Sequence, residues 1–240
     1  MNFKDRLCAM NCHYRFYELE NFFQSVHKLG MHYVELWSGP MNYYVDARRH
    51  DSPEKLKKLC DRYQLTIIGI CPEQTNPKPT NIAVKQKHRQ EEVLNYYRQM
   101  IDIECVLGCR PVLETSGWCY YSEAVEEAWN RSVVMMKRIT DYAKQRNVIL
   151  ALEALQPEES RLVNTIQDIR RYRNEVGSSC LKVCIDFGAM ARMGHTPREY
   201  FEAFGSDIVH IHFVDGNPTG HLAWGDGSRD LKAGLAFLEE

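Results

Sequence analysis

The strongest constraint on this chain is its rhythm. Short β-rich runs alternate with longer amphipathic runs from one end to the other. Seven runs read as strands: Arg6–Cys12, His32–Trp37, Leu65–Cys71, Arg110–Ser116, Val148–Leu155, Leu181–Phe187 and Ile208–Val214. Between them a 3.6-residue apolar period predicts helices over Glu18–Leu29, Gln86–Leu107, Ser122–Arg146, Thr165–Val176 and Thr196–Phe204. A further helix starts at Ser52-Pro53 and a last one near Asp230. Serine or threonine followed by proline is a helix start, because the hydroxyl caps an orphan N–H and proline needs no donor at the first helical position. Gly30 supplies the matching stop after the first helix.

No linker, low-complexity tract or compositional break interrupts the alternation, so residues 1–240 read as one domain. Strand–helix repetition implies a parallel sheet with right-handed crossovers. An open doubly wound sheet and a (β/α)8 TIM barrel both satisfy that. A doubly wound nucleotide binder needs a glycine-rich turn after its first strand, and "NCHYRFYELE" has none. The barrel is therefore expected, at a length close to its usual ~250 residues. The strands number seven, however, and "LAFLEE" at the end reads as the helix after the seventh. A barrel lacking its eighth strand has two unpaired edges, so we expect the chain to be cut short of the natural protein.

Composition narrows the function classes. A formal net charge of -2 gives no electrostatic case for nucleic acid. No run approaches the ~20 apolar residues of a membrane helix, and "MNFKDRLCAM" lacks a signal peptide's apolar core. The nine cysteines do not follow structural zinc spacing and are expected as reduced core thiols. A cytoplasmic enzyme, possible as a homo-oligomer, acting on a small molecule is the reading these totals allow.

The chemistry concentrates where strands end. In such barrels the active site lies at the C-terminal ends of the strands. Charged residues there are Glu35, Glu73, Glu114, Glu153 and Asp186, with His212 and Asp215 on the seventh strand. Glu153 is embedded in "LALEAL", and a carboxylate rarely occupies such a run unless paired or bound to metal. In "IVHIHFVDG", His210 and His212 leave the same face of the strand. Glu153, Asp186 and His212 come from three successive strands. They make either a mixed O/N site for one divalent metal ion (Mn²⁺, Co²⁺, Mg²⁺ or Zn²⁺) or a buried hydrogen-bond network. Trp37, Trp118, Tyr43, Tyr44, Tyr120 and Trp224 follow or close strands and could offer ring faces to a sugar or simply pack loops.

Together, "LALEAL…EES", "KVCIDFG", "IVHIHFVDG" and "GHLAWGDGS" resemble the sugar phosphate isomerase/epimerase family with its xylose isomerase-like TIM barrel. The order "VELW", "IIGICPEQTNPKPTN", "HRQEE", "LALEALQPEES" is most similar to the fructoselysine 3-epimerase and ketose 3-epimerase branch. Asn76, Asn81 and Arg89 match that branch too. The resemblance implies a metal held by Glu153, Asp186, His212 and a glutamate of strand eight. It implies Glu153 as the catalytic group, with Glu159 and His221 at the substrate; Glu73 and Trp37, at strand ends, are expected to line the same pocket. The implied activity is epimerisation of a ketose or ketose derivative at C3 through a cis-enediolate. Ala189 stands where several ketose 3-epimerases place a substrate-contacting histidine, and neither Glu239 nor Glu240 replaces the strand-eight glutamate. The 240-residue chain is therefore expected to be poorly active. Alternatives on the same barrel are an inosose dehydratase or an aldose–ketose isomerase. Further off lie an endonuclease IV-like repair enzyme and an inactive sugar-binding barrel.

Overall fold

The computed structural model describes residues 3–74 and 77–239. Its strands are β1 (Cys8–Met10), β2 (Tyr33–Ser38), β3 (Thr66–Pro72), β4 (Val112–Thr115), β5 (Leu150–Glu153), β6 (Leu181–Asp186) and β7 (Ile208–His212). They form one sheet in chain order, every neighbouring pair parallel. The helices are α1 (Leu19–Lys28), α2 (Pro53–Tyr63), α3 (Lys87–Leu107), α4 (Val125–Gln145), α5 (Ile166–Val176), α6 (Phe187–Arg192), α7 (Pro197–Phe204) and α8 (Leu231–Glu239).

The helix starts behave as their residues dictate. Ser52 caps α2 by accepting from the Lys55 N–H, with Pro53 at the first helical position. Thr165 with Asp168, and Thr196 with Glu199, close reciprocal capping boxes on α5 and α7. Two features depart from expectation. β1 stops at Met10 because the chain turns there, and the Asn11 amide instead brackets Trp37, donating to its carbonyl and accepting from its N–H. The short α6 is unanticipated; the Asp186 carboxylate caps it by accepting from Ala189 N–H at 2.7 Å.

Side chains alternate across the sheet. Leu113, Ala151 and Cys184, with Cys71 against them, fill the inside of the curl. Val112, Leu150, Leu152, Val183 and Ile185 face the helices in the larger outer layer. Flat strands ~4.8 Å apart would hold β2 and β7 about 24 Å from each other. Instead His210 on β7 lies 2.9 Å from Glu35 on β2, so the sheet is curled nearly shut. β1 and β7 remain its two edges. At the seam the Arg6 guanidinium donates to the Leu238 carbonyl of α8 at 2.8 Å, and Phe237 stacks edge-on against Phe201 of α7. This is a parallel α/β barrel architecture with seven strands and, among the described residues, no eighth.

Candidate metal centre and active site

Inside the curl, carboxylates and imidazoles interleave. Glu35 spans two histidines: one oxygen lies 2.9 Å from His210 Nε2, the other 3.2 Å from His212 Nε2. His212 Nδ1, on the far side of its ring, is 2.5 Å from Glu153 and 3.9 Å from Asp186 Oδ2. Strand register explains the convergence, since Asp186 pairs with His212 and Glu153 with Cys184, one step below. A shift between Val183 and Cys184 inserts Val209 in β7, and that irregularity sets both histidines on the inner face.

All of these groups are buried: Glu35 is 2 % exposed, Asp186 6 %, His210 8 % and Glu153 9 %. Burial alone would push the Glu35 carboxyl up, but the two facing histidines hold it well below the usual range. Burial likewise opposes the His212 imidazolium, yet Glu153 and then Glu35 outweigh it and the ring's pKa lies well above its ordinary value. His212 is thus clasped between carboxylates on both sides of its ring. Glu35 fixes the ring through Nε2 and leaves Nδ1 aimed at Glu153 and Asp186, the orientation a carboxylate–histidine–metal arrangement uses.

The donors fit a divalent ion. Asp186 spends Oδ1 on the α6 cap, while its buried Oδ2 has no hydrogen-bond partner among the described residues. That orphaned oxygen faces His212 and lies 3.5 Å from His221 Nε2. Burial would raise the Asp186 carboxyl, but the His221 and His212 partners hold it below its ordinary value. Thiols lie close by: Cys184 Sγ is within 4.8 Å of the Glu153 and His212 ligand atoms, and burial raises the Cys8, Cys71 and Cys184 thiols above their ordinary range. Glu153, Asp186 and His212 themselves make an oxygen and imidazole set, the kind that suits Mg²⁺, Mn²⁺, Co²⁺ or Zn²⁺. Gly188 is part of the design, because a Cβ there would lie 2.8 Å from Asp186 Oδ1.

The other expected residues separate into groups. Glu159 is half-buried in the loop after β5, where burial and the Glu153 and Asp186 charges raise its carboxyl pKa. His221 is half-exposed on the loop after β7, and its bond to Asp186 raises its pKa. Trp37 stands one inward step above Glu35, its indole occupying the space that Gly39 leaves open. Glu73 is not in the network; it pairs with Lys78 at 2.9 Å. Asn81 is a loop pin, accepting from Ala83 and Trp118 N–H and donating to the Trp118 carbonyl. Asn76 lies outside the described residues.

Three strand-end residues take other roles. Glu114 shares the outward parity of Val112 and sits among Tyr97 and Tyr172, fully buried, with no partner for either oxygen among the described residues. Burial raises its carboxyl pKa well above the ordinary range, behind the barrel wall. Asp215 organises the loop after β7, accepting from the N–H groups of Gly216, Gly225, Gly227 and Arg229. Tyr43 is buried and donates to the Asp51 carbonyl, which makes it structural. All nine cysteines are free thiols, and among the described residues no helix is long and apolar enough to cross a membrane.

Glu35 was visible as a strand-end carboxylate, but its partnership with both histidines was not. The clue was available in "YVELWS", a carboxylate in an apolar run much like "LALEAL".

Comparison with known proteins places the fold. The chain is 26% identical over 223 residues to the fructoselysine 3-epimerase of Shigella flexneri, spanning 92% of this chain and 80% of that protein. Among solved structures it superposes on 3-keto-D-glucoside 4-epimerase from E. coli with a TM-score of 0.77, at 14% identity, covering 97% of this chain and 86% of that one. D-psicose 3-epimerase from Clostridium cellulolyticum H10, solved with D-tagatose, gives a TM-score of 0.74 at 17% identity, covering 95% and 81%. Residues 23–240 match the sequence model of one family, and the chain belongs to it: the xylose isomerase-like TIM barrel family.

Proposed function

We propose that this protein is a metal-dependent sugar epimerase, moving a proton at C3 of a ketose or ketose derivative through a cis-enediolate. The observation that carries the reading is the meeting of Glu153, Asp186 and His212 from three adjacent strands, with Asp186 Oδ2 buried beside them, 3.9 Å from His212 Nδ1 and 3.5 Å from His221 Nε2. Its kinship to sugar epimerases supports the class of reaction. Glu153, Asp186 Oδ2 and His212 Nδ1 would hold the ion. A divalent cation bound there would act as a Lewis acid toward the substrate's carbonyl oxygen, making the neighbouring C–H more acidic.

Glu153 then serves as the base on one face of the sugar, taking the C3 proton. Glu35 keeps the His212 ring oriented throughout. Glu159 and His221, near the same carboxylates, are placed to bind hydroxyl groups, and Trp37 closes the rim. Return of the proton to the opposite face is assigned to a glutamate on an eighth strand.

The test is metal content by plasma mass spectrometry on wild type, Glu153→Gln and His212→Ala. The proposal expects near-stoichiometric Mn, Co, Mg or Zn in wild type and loss in both variants. Exchange of the C3 proton of a ketose into deuterated water should then depend on Glu153. Metal-free protein after loading with each of the four ions, or exchange undiminished in Glu153→Gln, would refute it.

A further inference from the structure

Glu35 has a second face. One of its oxygens orients His212, but the other meets His210 Nε2 at 2.9 Å, away from the first centre. A thiol joins that pair. The Cys8 Sγ, a Glu35 carboxylate oxygen and a His210 ring nitrogen all lie within 4.8 Å of one another. Strand register accounts for the meeting. Cys8 of β1 pairs with Tyr33, two residues before Glu35 on β2, so the Cys8 and Glu35 side chains leave the same face. His210 of β7 pairs with Cys184, which fills the inside of the curl.

Thiolate, imidazole and carboxylate are the three ligand types of a zinc site, and a fourth position is left for water. Zinc bond lengths place neighbouring ligand atoms of a tetrahedron about 3.3–3.6 Å apart. The sulfur therefore has to move in, and the Glu35–His210 contact has to widen by a few tenths of an ångström, both within the reach of side-chain rotation. A thiolate favours Zn²⁺ over Mg²⁺ and Mn²⁺, which suit oxygen donors. Burial raises the Cys8 thiol pKa, but a coordinating thiol is deprotonated outright, its proton leaving to solvent. Thiolate and carboxylate then balance the double charge of the ion, which suits a region where Glu35 and His210 are buried.

The position of the three residues gives the site its purpose. β1 and β7 are the two edges of the sheet, and among the described residues no backbone ladder joins them. Cys8 stands on one edge and His210 on the other. An ion held by both ties together what hydrogen bonding leaves open.

We propose that Cys8, Glu35 and His210 form a second metal site, which takes one Zn²⁺ ion and clamps the two edges of the sheet. The site is separate from the first centre and stands whether or not the ketose reading does. Its ion stays bound in Glu153→Gln, so it is counted apart from the one that the first centre loses.

The test uses Co²⁺ as a spectroscopic substitute for zinc, added to the metal-stripped, reduced full chain. A thiolate bound to Co²⁺ gives a near-ultraviolet charge-transfer band that oxygen and nitrogen ligands do not give. Wild type should develop this band, saturating at one equivalent of bound ion, and Zn²⁺ should bleach it. Excess Mn²⁺, which fills the first centre, should leave it unchanged, and so should Glu153→Gln. Cys8→Ser should abolish it while far-UV circular dichroism stays the same. Zn²⁺ should also raise the thermal unfolding midpoint of wild type, and that rise should be lost in Cys8→Ser. Absence of the band in wild type would overturn the proposal. A band displaced by Mn²⁺, or surviving in Cys8→Ser, would assign the thiolate to Cys71 or Cys184 beside the first centre and overturn it equally.

Discussion

Glu104 on α3 is 0 % exposed, and neither of its oxygens has a hydrogen-bond partner among the described residues. Burial raises its pKa from the ordinary 4.5 to about 8, with Arg110 pulling weakly the other way. Between those values the folded protein keeps the proton and the unfolded chain releases it. The unfolded state then binds fewer protons, so stability falls as pH rises through that window. Each pH unit costs about 1.4 kcal/mol, or roughly 5 kcal/mol across the whole window. That is a large part of a typical 5–15 kcal/mol total. Glu104→Gln keeps the shape and removes the titration. Its amide still lacks partners, which adds a constant offset but no pH dependence.

The stability difference between variant and wild type should therefore grow by about 3 kcal/mol from pH 5 to pH 7 in favour of the variant. Urea unfolding at pH 5, 6, 7 and 8, read by far-UV circular dichroism, measures it. Glu114, whose carboxyl is also raised, is common to both proteins and cancels in the difference. Parallel curves, offset but never diverging, would show that Glu104 is ionised in the folded protein and would refute the reasoning.

Further outcomes follow from the site and its supports. Glu35→Gln should weaken Mn²⁺ binding about 10–100-fold, the usual effect of removing a partner that orients a ligating histidine, while an unchanged Kd by titration would mean that His212 needs no such guide. Gly188→Ala forces a methyl against Asp186 Oδ1 and should lower stability by about 1–3 kcal/mol and weaken metal binding with it; a variant indistinguishable from wild type in both would count against the Asp186 cap. Asp215→Ala leaves four backbone donors of the loop after β7 without their acceptor. Amide exchange over residues 216–229 should rise while β5 and β6 stay protected, and uniform protection would contradict its role.

Much of this architecture is legible before folding because local chemistry punctuates it. Ser52-Pro53 and Thr196-Pro197 announce helix starts that the structure caps with those same hydroxyls. Glu153 betrays itself by its apolar surroundings. The harder distinction is between Glu35 and Glu114. Each is a carboxylate in an apolar strand, yet one meets two histidines and the other faces the helices with no hydrogen-bond partner among the described residues. Strand parity decides between them, and parity depends on register shifts such as those at Val34/Glu35 and Val183/Cys184. Those shifts are products of tertiary packing and leave no local trace. The dual duty of Asp186 was hidden for a similar reason, since six residues of "FGAMAR" are too few to show a helical period.

The Glu35–His210 contact joins residues separated by 175 positions. Each parallel strand pair can form from a neighbouring strand, helix and strand, a short-range event. The contact from β2 to β7 must close a loop of 175 residues, and long closures form late when shorter ones are available. The chemistry of this protein thus depends on one of its long-range closures, which contact-order reasoning places late in folding. A chain stalled before that closure would hold its secondary structure and most of its sheet while presenting no centre, so the appearance of metal affinity during refolding would clock the curling of the barrel itself.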